Sequence, residues 1–248
     1  MNKAREFLKR RVWRVGLVLL CLLTVPILWY TGIIWPNSWF VLSNNVQGLD
    51  VSSYQKQIDW KHVAQTGRFT FVFIKATEGK TYQDAYFQAN WRGAKDQGLL
   101  RGAYHFYIAS LSGAEQADNY IHVVPKEAGM LPPVLDLEVS AKDRQVTLRE
   151  ITVFLNRLEH YYGMKPIIYT DLTRYAEFVK GHFEEYPLWI GEALFPIQWS
   201  NVTNWTFWQY CDRGHVPGIS EPVDLDVFSA GRDKLHELVY RSISSNSE

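Results

Sequence analysis

Asp136 and Glu138 stand two residues apart in the apolar stretch PPVLDLE (132–138), which reads as a buried strand. On a strand this spacing puts both side chains on one face, their roots about 7 Å apart. Two carboxylates that close repel when both are ionised, so one pKa rises and one acid keeps a proton near neutral pH. Such a pair suits glycoside cleavage: the protonated acid delivers H⁺ to the leaving oxygen, and the ionised partner stabilises the developing positive charge. Further acids sit in similar surroundings. Asp50 ends VQGLD (46–50), and Asp224 and Asp226 lie in VDLDVF (223–228). A single acid is usually a solvated surface residue; a group of acids set among apolar residues is costly unless something uses or satisfies it.

The elements that carry these acids alternate in type. Strands are predicted at 46–50, 69–76, 101–107, 132–138, 165–170, 186–191, 206–210 and 223–228, each bounded by Gly, Pro or polar turns. Helices are predicted between them, among others at 84–98, 112–124 and 148–163. In the last, Ile151, Phe154, Leu155, Leu158, Tyr161 and Tyr162 share a face. Gly98 and Gly163 stand where helix-ending glycines belong. Eight strands with interleaved helices predict an α/β fold, an irregular (β/α)8-like barrel, because 191–206 leaves little room for a regular helix. Active sites of such barrels form at the C-terminal strand ends, where Asp50, Asp136 and Glu138 would converge.

The barrel is preceded by a different kind of segment. Residues 15–35 carry no charge and are long enough to cross a bilayer as one transmembrane helix. Lys3, Arg5, Lys9, Arg10, Arg11 and Arg14 precede them, which predicts a cytoplasmic N-terminus and an exported C-terminal domain. Trp29, Tyr30, Trp35 and Trp39 suit an aromatic belt at the far interface. A cleaved signal peptide is the competing reading; the run is long for one, and no A-x-A-like site follows. The expected organisation is a basic cytoplasmic tail (1–14), the membrane span (15–35), a spacer (36–45), the barrel domain (46–241) and a tail (242–248).

Composition bounds the remaining possibilities. The 248 residues are 47% hydrophobic and 21% charged, which is a folding composition. Net charge is zero, so nothing argues for nucleic-acid binding. Ten Trp and fourteen Tyr suit core packing, a sugar-stacking cleft, or both. Cys21 and Cys211 lie far apart in different surroundings, so no disulfide framework is expected. Neither has neighbours at metal-ligand spacing; no metal and no cofactor are expected. His105 follows Tyr104 in a strand and should face the other way, as a packed histidine. Lys75 and Glu78 read either as lining the mouth or as an ion pair holding a loop.

Seven ordered blocks resemble glycoside hydrolase family 25, the Chalaropsis-type lysozymes: GLDVSSYQ (48–55), FVFIKATEG (71–79), GLLRGAYHFY (98–107), PVLDLE (133–138), IIYT (167–170), FWQY (207–210) and PVDLDVF (222–228). The resemblance implies a distorted β/α barrel that hydrolyses the β-1,4 bond from N-acetylmuramic acid to N-acetylglucosamine, with peptidoglycan glycan strands as partner. It implies Glu138 as general acid, Asp136 as the acid that orients the substrate's 2-acetamido group, and Asp50 and Asp224 as further acids of the pocket. Tyr104, Tyr169 and Trp208 match aromatic positions near the substrate, and Asp226 a structural position. The chain departs at LWIGEALF (188–195), where the family has a Trp-Ile-Ala stretch ending in Tyr. The alternative function is a catalytically weak peptidoglycan-binding or scaffold module, which would keep the aromatic cleft but lose an acid; all the matching acids are present.

Overall fold

The computed structural model describes residues 2–41, 46–140 and 143–241. The last part of the expected spacer (42–45) and the expected tail (242–248) lie outside them. The chain divides into two units, Met1–Pro36 and Asn37–Glu248.

The first unit is a helix, α1 (Asn2–Tyr30). Within it the span Lys9–Tyr30 contains an 18-residue window of mean hydropathy 2.1, no residue of which is buried. The helix therefore takes in the basic flank as well as the apolar run, and it ends before residue 35. Gly32 supplies the stop: its φ of 74° is left-handed, and Ile33 N–H turns back to Leu28 O at 3.0 Å. Pro26 lies inside the helix without ending it.

Among its described residues the second unit contains nine strands: β1 (Val46–Val51), β2 (Phe69–Glu78), β3 (Tyr82–Gln83), β4 (Leu100–Phe106), β5 (Val134–Asp136), β6 (Ile167–Asp171), β7 (Leu188–Gly191), β8 (Phe207–Gly214) and β9 (Val223–Phe228). Their order is β1-β9-β8-β7-β6-β5-β4-β2-β3, and a β1–β2 pairing closes the ring, leaving β3 as a flap on β2. The barrel thus has eight strands. All neighbours are parallel except β9, which runs antiparallel to both β8 and β1. A regular (β/α)8 barrel has eight parallel strands; here the β8–β9 connection is a loop with no room for a crossover helix, so the last strand returns antiparallel.

Helices α2 (Trp60–Gln65), α3 (Phe87–Asp96), α4 (Gly113–Val123), α5 (Arg144–Tyr162), α6 (Leu172–Arg174) and α7 (Arg232–Glu237) lie between or after the strands. Side-chain caps set several starts. Ser112 accepts from Glu115 N–H at α4, and Asp143 accepts from Gln145 and Val146 N–H, which begins α5 four residues earlier than the apolar pattern predicts. Gly163 ends α5 at φ 70°. Of its predicted face, Ile151, Phe154, Leu155, Leu158 and Tyr162 are buried, whereas Tyr161 is 43% exposed, at the edge of the stripe.

Aromatic side chains fill the barrel. Phe71, Phe73, Tyr169, Trp189, Phe207 and Phe228 belong to one buried cluster, with Phe73 stacked on Trp189 at 4.5 Å. Two glycines make the space: a Cβ on Gly48 would lie 2.2 Å from the Phe71 ring, and one on Gly102 would lie 2.3 Å from Phe73. β5 is shorter than predicted because Pro132 and Pro133 have no N–H to give the ladder.

Candidate active site

Above the aromatic core a cavity of about 100 Å³ is lined by Asp50, Tyr104, Asp136, Glu138, Tyr169, Trp189 and Gln209. Strand ends deliver these groups. Asp136 is the last residue of β5, and Glu138 stands two residues beyond it, exposed at the rim. Leu137 between them is fully buried, so the two-residue alternation continues past the strand and both carboxyls meet one cavity. Leu137 N–H donates to Tyr169 O, and Thr170 Oγ1 donates to Leu137 O, which pins this extension to β6.

Asp224 reaches the same end by a different route. Its strand is reversed, so its position near the start of β9 puts it directly across from Asp50 at the end of β1. It is half-buried and does not line the cavity; it lies within hydrogen-bonding reach of Asp50. One step deeper on the same face is Asp226, fully buried, accepting from Trp189 Nε1 at 2.9 Å and within hydrogen-bonding reach of Asp50. The expected structural role of Asp226 therefore has a definite content: it holds the indole that forms the cavity floor.

A chain of hydrogen bonds joins the two sides. Tyr169 Oη donates to Gln209 Oε1 at 2.8 Å, and Gln209 Nε2 donates to Asp50 Oδ2 at 2.8 Å. The bonds fix the amide's orientation: oxygen toward the tyrosine, nitrogen toward the acid. Gly191 of β7 leaves room for this, since a Cβ there would lie 2.6 Å from Tyr169 Oη and 3.3 Å from Gln209 Oε1.

Every acid of the cluster is held above the usual carboxylate range. Asp50 is well above it because burial strips its water, and the nearby Asp226 charge adds to this. Burial is also the first cause at Asp224, followed by Asp50, and at Asp226, followed by Asp224. Burial raises Asp136 strongly, with Glu138 adding repulsion and Lys75 opposing it. Glu138 is raised too, by loss of water around its carboxyl; Tyr169 and Lys75 oppose the shift and Asp171 adds to it. Both members of the D-x-E pair move up. One oxygen of Asp136, Oδ1, is buried with no hydrogen-bond partner.

Not every candidate comes to this cavity. Tyr104 and Tyr169 line it; Trp208 does not. Trp208 sits on the opposite face of β8, 1% exposed, its Nε1 donating to Glu192 O at 2.8 Å. Gln209, its neighbour, takes the inward position, and Trp189 supplies the indole. Strand parity carries that signal in the sequence: in FWQY, Phe207 and Gln209 share one face and Trp208 and Tyr210 the other. Lys75 pairs with Glu78 at 2.7 Å while lying over the Phe106 ring at 5.0 Å, and neither residue lines the cavity. His105 is fully buried between Thr77 Oγ1, 2.7 Å from Nδ1, and Gln116 Oε1, 3.2 Å from Nε2; burial lowers its pKa to about 4. It is a packed, neutral histidine. Cys211 is buried in β8, its thiol pushed up to about 12 by burial.

Comparison with known proteins agrees with this geometry. The uncharacterized protein YegX of Escherichia coli (strain K12) is 39% identical over 202 residues, covering 79% of this chain and 74% of the relative. Lysozyme M1 of Streptomyces globisporus is 32% identical over 209 residues, covering 78% and 71%. The structure of a family 25 glycosyl hydrolase from Bacillus anthracis superposes with a TM-score of 0.75 at 34% identity, over 80% of this chain and 96% of that one. The family model for glycosyl hydrolases family 25 matches residues 49–219. With its acids gathered at one end of an eight-stranded barrel, this chain belongs to the family 25 glycosyl hydrolases.

Proposed function

We propose that this chain is a membrane-anchored muramidase. It hydrolyses peptidoglycan, as a family 25 glycoside hydrolase with lysozyme relatives, and the bond it cuts is the β-1,4 link from N-acetylmuramic acid to N-acetylglucosamine. The observation that carries this reading is the meeting of Asp50, Asp136 and Glu138 in one cavity, with Asp224 behind Asp50.

Glu138 is the general acid: it stands at the rim, where a glycosidic oxygen can reach it, and its raised pKa keeps a proton available. Asp136 receives the substrate's 2-acetamido N–H. Its unpartnered Oδ1 is a buried acceptor, costly to leave unmade, and a substrate donor satisfies it. Polarised in this way, the acetamido oxygen attacks the anomeric carbon, and water later opens the bicyclic intermediate. Two inversions give net retention. Asp50 and Asp224 are the alternatives for a covalent nucleophile, and trapping a sugar on either carboxylate would overturn the acetamido route. Tyr104, Tyr169 and Gln209 shape and orient this cavity.

The apolar helix α1 is the anchor. Its basic flank supports a cytoplasmic N-terminus and a barrel on the exported side. The decisive experiment is digestion of purified peptidoglycan by the full chain, followed by mass spectrometry of the reducing ends. Muramic acid at the new reducing ends is expected; glucosamine there, or intact glycan, sinks the reading.

A further inference from the structure

Two segments distant in sequence build an exposed aromatic patch on the barrel unit. One is the short 3-10 turn Pro36–Phe40; the other is the β7–β8 connection. Phe40 meets Trp199 edge-on at 5.8 Å, and Phe195 lies 6.4 Å from Trp199. Trp199 is 69% exposed, Leu194 60%, Phe195 59%, and Trp39, beside Phe40, 78%. A single exposed hydrophobic residue is ordinary; a group of this size on one surface marks an interaction site.

The patch is built rather than incidental. Asn37, 1% exposed, directs its Nδ2 at four carbonyl oxygens, those of Ala193 (2.9 Å), Tyr210 (3.2 Å), Glu192 and Phe195 (both 3.3 Å). One buried amide thereby clamps the first segment onto the second. The β7–β8 loop itself is braced by Glu192 Oε1, which accepts from both Leu194 and Phe195 N–H at 2.9 Å. The exposed rings thus stand on fixed backbone.

Charge and connectivity select the partner. Beyond Glu192, whose carboxylate is turned back onto the loop's own N–H groups, no charged residue occurs from Val15 to Leu49 or from Ala193 to Cys211, in a chain that is 21% charged overall. Trp39 follows Tyr30, the last residue of α1, by nine positions, so it lies no more than roughly 30 Å from the end of that helix even when fully extended. A helix seated in a bilayer therefore keeps the patch within reach of the same bilayer. Uncharged surface rich in Trp, Phe and Leu is what the headgroup–acyl boundary accepts. Sugar recognition would ask instead for polar groups beside the rings, and Leu194 and Phe195 offer none.

We propose that Trp39, Phe40, Leu194, Phe195 and Trp199 form a lipid-docking surface that lies in the interface of the membrane holding α1. This rests on the anchor reading above and adds a second contact to it. The β7–β8 loop leaves the same barrel end as the carboxylates, since β7 runs parallel to β5 through β6. Docking therefore holds the cavity mouth near the bilayer, and the enzyme works on glycan close to the membrane rather than at the far reach of a free tether.

The test is nitroxide depth measurement on the full chain in nanodiscs of phosphatidylethanolamine and phosphatidylglycerol. Cys21→Ser removes the exposed thiol, and Trp199→Cys carries the label; Lys165→Cys, exposed at the start of β6 on the opposite barrel end, is the control. At 199, collisions with lipid-soluble oxygen are expected to exceed those with a water-soluble nickel chelate, and at 165 the order should reverse. Nickel access at 199 equal to that at 165 overturns the proposal. So does shielding from both reagents, which would mean a protein neighbour, and so does nickel access that falls only when glycan strands are added, which would mean a sugar platform. Failure of the chain to co-float with lipid would remove the anchor reading itself, a result distinct from an anchored chain whose residue 199 stays in water.

Discussion

Asp136 and Glu138 share a cavity but not a situation. Asp136 is 6% exposed with one oxygen unpartnered, whereas Glu138 stands at the rim. Replacing Glu138 by Gln keeps shape and removes the proton; turnover should fall by at least about a hundredfold with an unchanged melting temperature. Near-normal turnover in steady-state kinetics would refute its role as the acid. Lys75 opposes the upward shift of both acids. Its replacement by Met should therefore move the alkaline limb of the kcat/KM profile to higher pH, because the pair then keeps its proton longer; a limb that stays or moves down contradicts this. The Asp50–Asp224–Asp226 row has a consequence for stability. A carboxyl whose folded pKa lies above its unfolded value stabilises the fold below the unfolded pKa, and that contribution is lost as pH rises through the folded pKa. Asp224→Asn should therefore raise the melting temperature at neutral pH, by the equivalent of about 0.5–2 kcal/mol, and the gain should shrink toward pH 4. Calorimetry at both pH values checks the sign.

At the scale of elements, β7 and β8 matter more to the site than their motifs suggest. β7 contributes Trp189 to the cavity and Gly191 to the space above it. Gly191→Ala drives a methyl group against the Tyr169 hydroxyl, so the Tyr169–Gln209–Asp50 chain must give way. Activity should drop by up to about a hundredfold, the cost of misplacing a positioning group by about an ångström. Tyr169→Phe removes the hydroxyl the methyl meets, so the double variant should be no worse than Tyr169→Phe alone; additive losses in this cycle would show that Gly191 acts elsewhere. β9 matters through its direction. Reversal lets an acid near a strand's beginning join acids from strand ends, and the register across β1 pairs Asp224 with Asp50.

For the whole molecule, the proposed anchor gives the apolar helix the task of placement and leaves the chemistry to the barrel unit. If α1 is an uncleaved anchor, the full chain should remain in the membrane pellet after alkaline carbonate extraction, and protease added outside a permeabilised envelope should degrade the barrel. A soluble mature protein lacking residues 1–35 would overturn the anchor.

Local pattern and periodicity were enough to place eight barrel strands, the main helices, and acids at the barrel mouth, because alternation, apolar stripes and helix-ending glycines act within a few residues. The packed state of His105 followed from the same short-range logic, and of the two readings of Lys75 and Glu78 the ion pair is the one the structure holds. Other features depended on which segments meet. The reversal of β9 is a matter of strand pairing, and the same apolar alternation fits either direction. The replacement of Trp208 by Trp189 and Gln209 depended on which face of β8 turns inward; aromatic residues occupy both faces, so hydrophobicity does not mark it. The clamp of Asn37 across 156 positions to Ala193 joins residues whose relation no local signal encodes. The upward pKa shifts of the acids likewise come from removal of water and proximity of charge, both set when the barrel closes.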